Sequence, residues 1–301
     1  MSIWKRKNTQ YYVSTTNNSF SQQMKINRIA AFSDGQIGGN PAGVVLSEEM
    51  PSTETMQRIA GEVGYSETAF AQIQSNKEYW RVRYFSPESE VPFCGHATIA
   101  LGAMLGKTYG AAEYQLQLND AEISVSVNSN LDHYSASLTS PNTRHELLSD
   151  TQINETLALF NYSQDQLSNN IPAARIHGGA DHYVLSLKSR ADLAAMQYSL
   201  SEGKQFMRER DLVTIMWVYA QTNERYHVRN AFASGGVMED PATGAAAAAF
   251  TGYLFDAKLV NTEKITLIQG EDMGSRSIIT TKHSQQTGGS VEVSGQARFL
   301  I

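Results

Sequence analysis

The run Val237-Met-Glu-Asp-Pro-Ala-Thr-Gly-Ala-Ala-Ala-Ala-Ala-Phe-Thr-Gly-Tyr-Leu254 constrains this chain more than any other stretch. Gly235 and Gly236 allow the backbone to bend ahead of it. Asp240-Pro241 starts a turn, and proline is tolerated in a first helical turn. Ala245 to Ala249 then favour a helix and let it approach neighbouring strands closely. Phe250, Leu254 and Phe255 add bulk. A helix over Ala242–Phe255, apolar nearly all round, is predicted to lie inside a core. Its N-terminal N–H groups suit a carboxylate or phosphate, and Asp240 sits at the same mouth.

The first half of the chain has the same grammar in Glu90-Val-Pro-Phe-Cys-Gly-His-Ala-Thr-Ile-Ala-Leu-Gly-Ala-Met-Leu105. A proline-containing loop leads to Gly95 and then to small residues, which predicts a second buried helix over Val91–Leu105. His96 is the titratable residue at this mouth. The pair suggests either an internal duplication or two unrelated buried helices.

With 301 residues, 41% of them hydrophobic and 18% charged, the chain can build two domains with real cores. A net charge of −6 argues against nucleic acid or an anionic membrane surface as partner. The most apolar run, Ala245 to Leu254, is too short to span a bilayer. One cysteine, Cys94, permits no intrachain disulfide and fits a cytoplasmic location. Met24 opens a clean strand and reads as the natural start. Residues 1–23 are polar, lack an apolar signal segment and read as an extension without regular structure, with Tyr11-Tyr12-Val13 pairing at a sheet edge as the alternative.

Short strands dominate the remainder, each half offering only one wholly buried helix. A sheet curled round a central helix therefore fits better than a doubly wound parallel sheet. Gly102-Ala-Met-Leu-Gly106-Lys107-Thr108 has too few residues between its glycines for a phosphate loop and lies in the predicted helix. Cys94 and His96 are too few ligands for a metal, so no metal is expected. Glu67 lies among apolar and small residues. A carboxyl withdrawn from water holds its proton more tightly and suits proton transfer near neutrality; a structural cap or ion pair is the plainer role.

Asn40-Pro-Ala-Gly-Val-Val45, Tyr65-Ser-Glu-Thr-Ala-Phe70, Arg83-Tyr-Phe-Ser-Pro87, Cys94-Gly-His-Ala-Thr98 and Glu239-Asp-Pro-Ala-Thr-Gly244 occur in one order and spacing. Together they resemble the PhzF-like family, the phenazine-biosynthesis isomerase group, from about residue 24 to the C-terminus. The resemblance implies an α/β (α+β) fold shared with diaminopimelate epimerase. Two pseudo-symmetric domains would each wrap a curled, mostly antiparallel sheet round a central helix, with the active site in the cleft between them. The first would comprise residues 24–140 plus 291–301 and the second 141–290.

Carried over by motif, the resemblance makes Glu67 the general acid/base, with His96 and Asp240 as orienting or proton-sharing partners. Asn40, Gly95, Thr243, Gly244 and Ala245 would bind a small-molecule carboxylate. Best-known members carry Ser where this chain has Ala245, so one hydroxyl donor is missing. The family's Gly-Arg-x-Ser run stands here as Gly274-Ser-Arg276-Ser277. The expected function is a cofactor-independent isomerase that shifts a proton by acid/base chemistry, phenazine-biosynthesis-like, in a homodimer. Alternatives are an epimerase or racemase of the same fold, which with one cysteine cannot use two thiols, and a non-catalytic small-molecule-binding member.

Overall fold

The computed structural model describes residues 11–13, 24–74, 79–130 and 133–301, which form two compact units. The first comprises residues up to Gln36, Asn40–Leu138 and Gly295–Ile301; the second comprises Ile37–Gly39 and Thr139–Ser294. The cut after Ser294 falls within the last strand, so residues 291–294, expected in the first unit, lie in the second. The glycine turn Ile37–Gly39 goes with the second unit because Gly39 N–H donates to the Arg276 carbonyl at 3.1 Å.

The first unit contains β1 (Tyr11–Val13), β2 (Met24–Ser33), β3 (Asn40–Ser47), α1 (Thr53–Val63), β4 (Thr68–Ile73), β5 (Trp80–Phe85), β6 (Glu90–Val91), α2 (Gly95–Tyr109), β7 (Glu113–Gln117), β8 (Glu122–Asn130) and β9 (His133–Thr139). Strand β1 pairs antiparallel with β2, Tyr11 opposite Ile26. This corrects the reading of residues 1–23 as an extension without structure at its centre: the edge of β2 leaves backbone groups that a short strand satisfies. The rest of that extension lies outside the described residues. β3 runs parallel to β4 and β5 parallel to β7, whereas β2–β3, β4–β5, β5–β6, β7–β8 and β8–β9 are antiparallel.

The second unit contains β10 (Arg144–Leu147), α3 (Asp150–Phe160), β11 (Ala174–His177), β12 (Asp181–Leu187), α4 (Arg190–Ala194), α5 (Leu200–Glu209), β13 (Thr214–Ala220), β14 (Arg225–Ala231), β15 (Glu239–Asp240), α6 (Gly244–Asp256), β16 (Lys264–Gln269), β17 (Ser277–His283) and the start of β18 (Val291–Phe299). Its pairing repeats that of the first. β12–β13 and β14–β16 are parallel, while β11–β12, β13–β14, β14–β15, β16–β17 and β17–β18 are antiparallel. In both units a two-residue strand precedes the central helix, and a parallel neighbour follows it. Two unrelated helices would not repeat this order.

Each central helix is fixed by small residues on one sheet face. A Cβ on Gly102 would come 2.7 Å from Val125 Cγ2, and one on Gly106 2.5 Å from Val127 Cγ1, so these glycines seat α2 against β8. Ala246 to Ala249, Phe250 and Leu254 of α6 have no exposed surface. Burial of side chains the size of Phe250 and Leu254 contributes about 1.5–3 kcal/mol each. On the other face of the second sheet, Tyr183, Leu185 and Trp217 pack with Leu157 and Phe160 of α3 and Met207 of α5. On that of the first, Met56, Ile59 and Ala60 of α1 meet Val45, Phe70 and Phe85. Among the described residues no helix is long and apolar enough to cross a membrane.

Both central helices start later than their sequence predicts. Glu90 and Val91 pair with Phe85 and Tyr84, and Cys94 is still extended, so α2 begins at Gly95 rather than Val91. Thr243 is likewise extended and α6 begins at Gly244 rather than Ala242. Helix α2 runs on past Leu105 to Tyr109 and stops at Gly110, whose φ is 103°.

Candidate active site

The first set of functional groups gathers where β4 and α2 begin. Glu67 precedes β4, and the Gly43 N–H holds its carbonyl at 3.2 Å. A side chain at 43 would meet Thr68 Oγ1 at 2.6 Å, so the glycine in Asn40-Pro-Ala-Gly is what brings β3 this close to β4. Glu67 Oε2 lies 3.3 Å from His96 Nε2, with both side chains largely buried. Ser66 Oγ is 3.3 Å from the same nitrogen, and Cys94 Sγ is 3.3 Å from His96 Nδ1. The imidazole therefore sits among a carboxylate, a hydroxyl and a thiol.

The start of α2 is held from within. Thr98 Oγ1 donates to the Cys94 carbonyl at 2.7 Å and lies 2.7 Å from the buried Tyr84 hydroxyl. Burial pushes the Tyr84 phenol well above its usual range, so it stays protonated. Arg83 donates to both Glu90 oxygens, at 2.7 and 2.5 Å, and thereby fixes the β5–β6 turn. Those hydrogen bonds hold the Glu90 carboxyl below the usual carboxylate range. The Arg83-Tyr-Phe-Ser-Pro motif thus supports the helix mouth rather than supplying reacting groups.

The second set gathers at the start of α6. Thr243 donates its hydroxyl to Asp240 Oδ2 at 2.5 Å. Gln269, fully buried at the end of β16, donates through Nε2 to the Asp240 carbonyl at 2.6 Å and to Thr243 Oγ1 at 3.0 Å. Its Oε1 accepts the Thr243 N–H at 3.1 Å. Gly244 and Ala245 form the first positions of the helix. In the preceding strand, Arg229 grips Glu239 as Arg83 grips Glu90, one more repeat between the units.

Sequence reasoning singled out Glu67, His96, Asp240, Thr243, Gly95, Gly244 and Ala245. Glu67 and His96 are brought together, and so are Asp240 and Thr243. Asn40 is buried at the start of β3, three residues before Gly43. Sequence reasoning missed Gln269, Ser66 and the Tyr84–Thr98 support. The one available signal for Gln269 was a polar side chain closing the apolar run Ile265–Ile268.

The two mouths share a feature that the peripheral helices lack. Ser52, Ser149, Ser189 and Ser199 cap α1, α3, α4 and α5 through their side chains. Neither Cys94 nor Thr243 caps its helix in that way. No N-cap side chain therefore satisfies the N-terminal N–H groups of α2 or α6.

A family model described as phenazine biosynthesis-like protein matches residues 29–301. An uncharacterized isomerase of Clostridium acetobutylicum is 28% identical over 90% of this chain and 94% of its own length. The uncharacterized isomerase YddE of Escherichia coli K12 is 27% identical over 92% of this chain and 96% of its own. The crystal structure of the Bacillus anthracis phenazine biosynthesis protein, PhzF family, superposes with a TM-score of 0.82 at 20% identity, covering 92% of this chain and 96% of that one. Its fold is the α/β fold described above, with two like units each built round a central helix. With motifs, pairing order and family model in agreement over most of its length, the chain belongs to the phenazine biosynthesis-like (PhzC-PhzF) family.

Proposed function

We propose that the protein is a cofactor-independent isomerase that moves a proton between carbons on one face of a small carboxylated metabolite, with Glu67 as the shuttle. The observation that carries this reading is the 3.3 Å approach of Glu67 Oε2 to His96 Nε2 at the mouth of α2. A proton next to a carboxylate leaves slowly because the resulting anion is poorly stabilised. Glu67 accepts that proton, and His96 orients the carboxyl and shares the proton in transit. The uncapped N–H groups of α2 supply a fixed positive field for the charge that develops. In the second unit, Thr243 orients Asp240 at the mouth of α6.

The repeat between the units supports a shift over an inversion. Where the first unit has Glu67 ahead of β4, the second has Val213 ahead of β13, and Ala245 stands where the first has His96. The base and its imidazole are thus present once. A single carboxylate can return its proton to another carbon on the same face, whereas inversion needs a second acid opposite.

Solvent deuterium incorporation into a panel of small amino and hydroxy acids, followed by NMR, tests the reading. Glu67→Gln should keep fold and ligand binding and lose at least ~10²-fold in exchange rate. Wild-type exchange by Glu67→Gln would overturn the assignment, and inversion without migration of the proton would favour an epimerase.

A further inference from the structure

We propose that Asn230 is a positioning residue for Asp240, the NH2 end of its amide turned toward the Asp240 carboxylate by a buried hydrogen-bond chain that starts at His182. Asn230 lies directly opposite Asp240 in the antiparallel pairing of β14 with β15. Residues so paired carry their side chains on one face, with Cβ atoms about 4.5–5.5 Å apart. That face is the one toward α6: Tyr226, four residues earlier on β14, meets Phe250 edge-on with ring centroids 5.2 Å apart. Arg229 and Glu239 point to the opposite face, where they pair with each other.

The amide has two ends, and its neighbours decide between them. Thr214 Oγ1 donates to Asn230 Oδ1 at 3.0 Å, and His182 Nδ1 lies 2.8 Å from the same hydroxyl. Strand β14 has β13 on one side and β15 on the other. The carbonyl end is therefore engaged on the β13 side, which leaves the NH2 end for the β15 side, where Asp240 stands. The reverse orientation would set a carbonyl oxygen against a carboxylate. With the hydroxyl donating to Asn230, the imidazole must donate to the hydroxyl, so the His182 proton sits on Nδ1. Burial pushes the pKa of that imidazole down to about 3, which keeps it neutral and the chain directional.

His182, Thr214 and Asn230 are all buried, and neither Asn230 Nδ2 nor His182 Nε2 has a hydrogen-bond partner among the described residues. The fold itself does not require such a pair. The matching positions of the first unit hold Tyr84 opposite Val91, and the Tyr84 hydroxyl goes to Thr98 of α2. An unpaired amide donor in a dry interior destabilises the protein. Beside a carboxylate the same donor end favours the ionised form, because the interior screens an amide dipole poorly. The other groups at Asp240 are the Thr243 hydroxyl, on Oδ2, and the Gln269 amide, on the backbone carbonyl. The consequence for turnover rests on Asp240 serving the proposed proton shift; the state of the carboxylate does not, and it is measured without substrate.

Carbon-13 NMR of the Asp240 carboxyl during a pH titration of the full chain, assigned by its loss in Asp240→Asn, tests the proposal. Asn230→Leu should hold the Asp240 proton at least ~3-fold more tightly than the wild type, a rise of about 0.5 in the midpoint. Thr214→Val frees the amide to turn and should shift the midpoint the same way, whereas Thr214→Ser should leave it in place. Added to Asn230→Leu, Thr214→Val should change nothing further. Nitrogen-15 spectra of wild-type His182 read the direction of the chain and need no variant to fold: the proton should be on Nδ1. An Asp240 midpoint unchanged in folded Asn230→Leu would overturn the proposal, even if the urea midpoint moved, because that is the mark of packing alone. A wild-type His182 proton on Nε2 would overturn it as well.

Discussion

Gln269 Nε2 donates to the Asp240 carbonyl at 2.6 Å, tying the end of β16 to the residue that opens the approach to α6. The same amide accepts the Thr243 N–H. One buried side chain thus satisfies a backbone acceptor and a backbone donor that helix geometry leaves exposed at this mouth. Gln269→Leu removes both partners, and a buried polar group left unpaired costs about 1–3 kcal/mol. The unfolding free energy should fall by roughly 2–4 kcal/mol in urea titration. A loss under about 0.5 kcal/mol would mean that the mouth is held without Gln269.

The repeated arginine–glutamate pairs should differ in strength. Side-chain exposure is 12% and 5% for Arg229 and Glu239, against 19% and 25% for Arg83 and Glu90. Arg229 also donates to the Ala194 carbonyl at 2.9 Å, so its position is fixed independently of Glu239. Breaking a buried pair costs about 3–5 kcal/mol, and an exposed one about 1 kcal/mol or less. Glu239→Gln should therefore lower the urea midpoint clearly more than Glu90→Gln. Equal midpoints would show that the two pairs are equivalent despite their burial.

Gly43→Ala tests how Glu67 is placed. The new Cβ would meet Thr68 Oγ1 at 2.6 Å and Cγ2 at 2.9 Å, and both chains are buried there. Overpacking of this kind costs about 1–3 kcal/mol. Thr68→Ala removes the obstructing atoms, so Gly43→Ala/Thr68→Ala should regain most of that loss. A double-mutant cycle with a coupling energy near zero would show that β3 and β4 do not meet through this contact.

His182 should govern part of the acid stability. It is fully buried, its Nδ1 lies 2.8 Å from Thr214 Oγ1, and burial lowers its pKa from 6.5 to about 3. The unfolded chain then binds a proton that the folded one refuses between these values. The resulting stability is present above pH 6.5 and is lost as pH falls toward 3, to an extent on the order of a few kcal/mol. His182→Asn keeps a donor for Thr214 and does not titrate. Its urea midpoint should vary less than the wild type's between pH 6.5 and 4; parallel curves for the two proteins would assign the acid sensitivity to other groups.

The sequence by itself determined the features that depend on near neighbours along the chain. The alanine run dictates a buried helix, and α6 is that helix. Local signals also misled. The later starts of α2 and α6 follow from Glu90 and Glu239, each drawn into a short strand by a partner in the preceding one. Helix α5 escaped the sequence reading because its polar face hides the few residues, Gly203 and Met207, that it buries.

Only the tertiary structure decided what stands beside what. Glu67 and His96 are far apart in sequence, and the parallel register of β3 with β4 sets their approach together with the seat of α2. No composition or period encodes that register, because it depends on side chains such as Thr68 fitting against Gly43. The reach of Gln269 back to Asp240 has the same origin: β16 must return beside β14 before its last side chain can find the mouth of α6. Motifs name the groups because their spacing survives in the linear chain. The contacts among those groups emerge only when sheets close and non-local pairing fixes the distances.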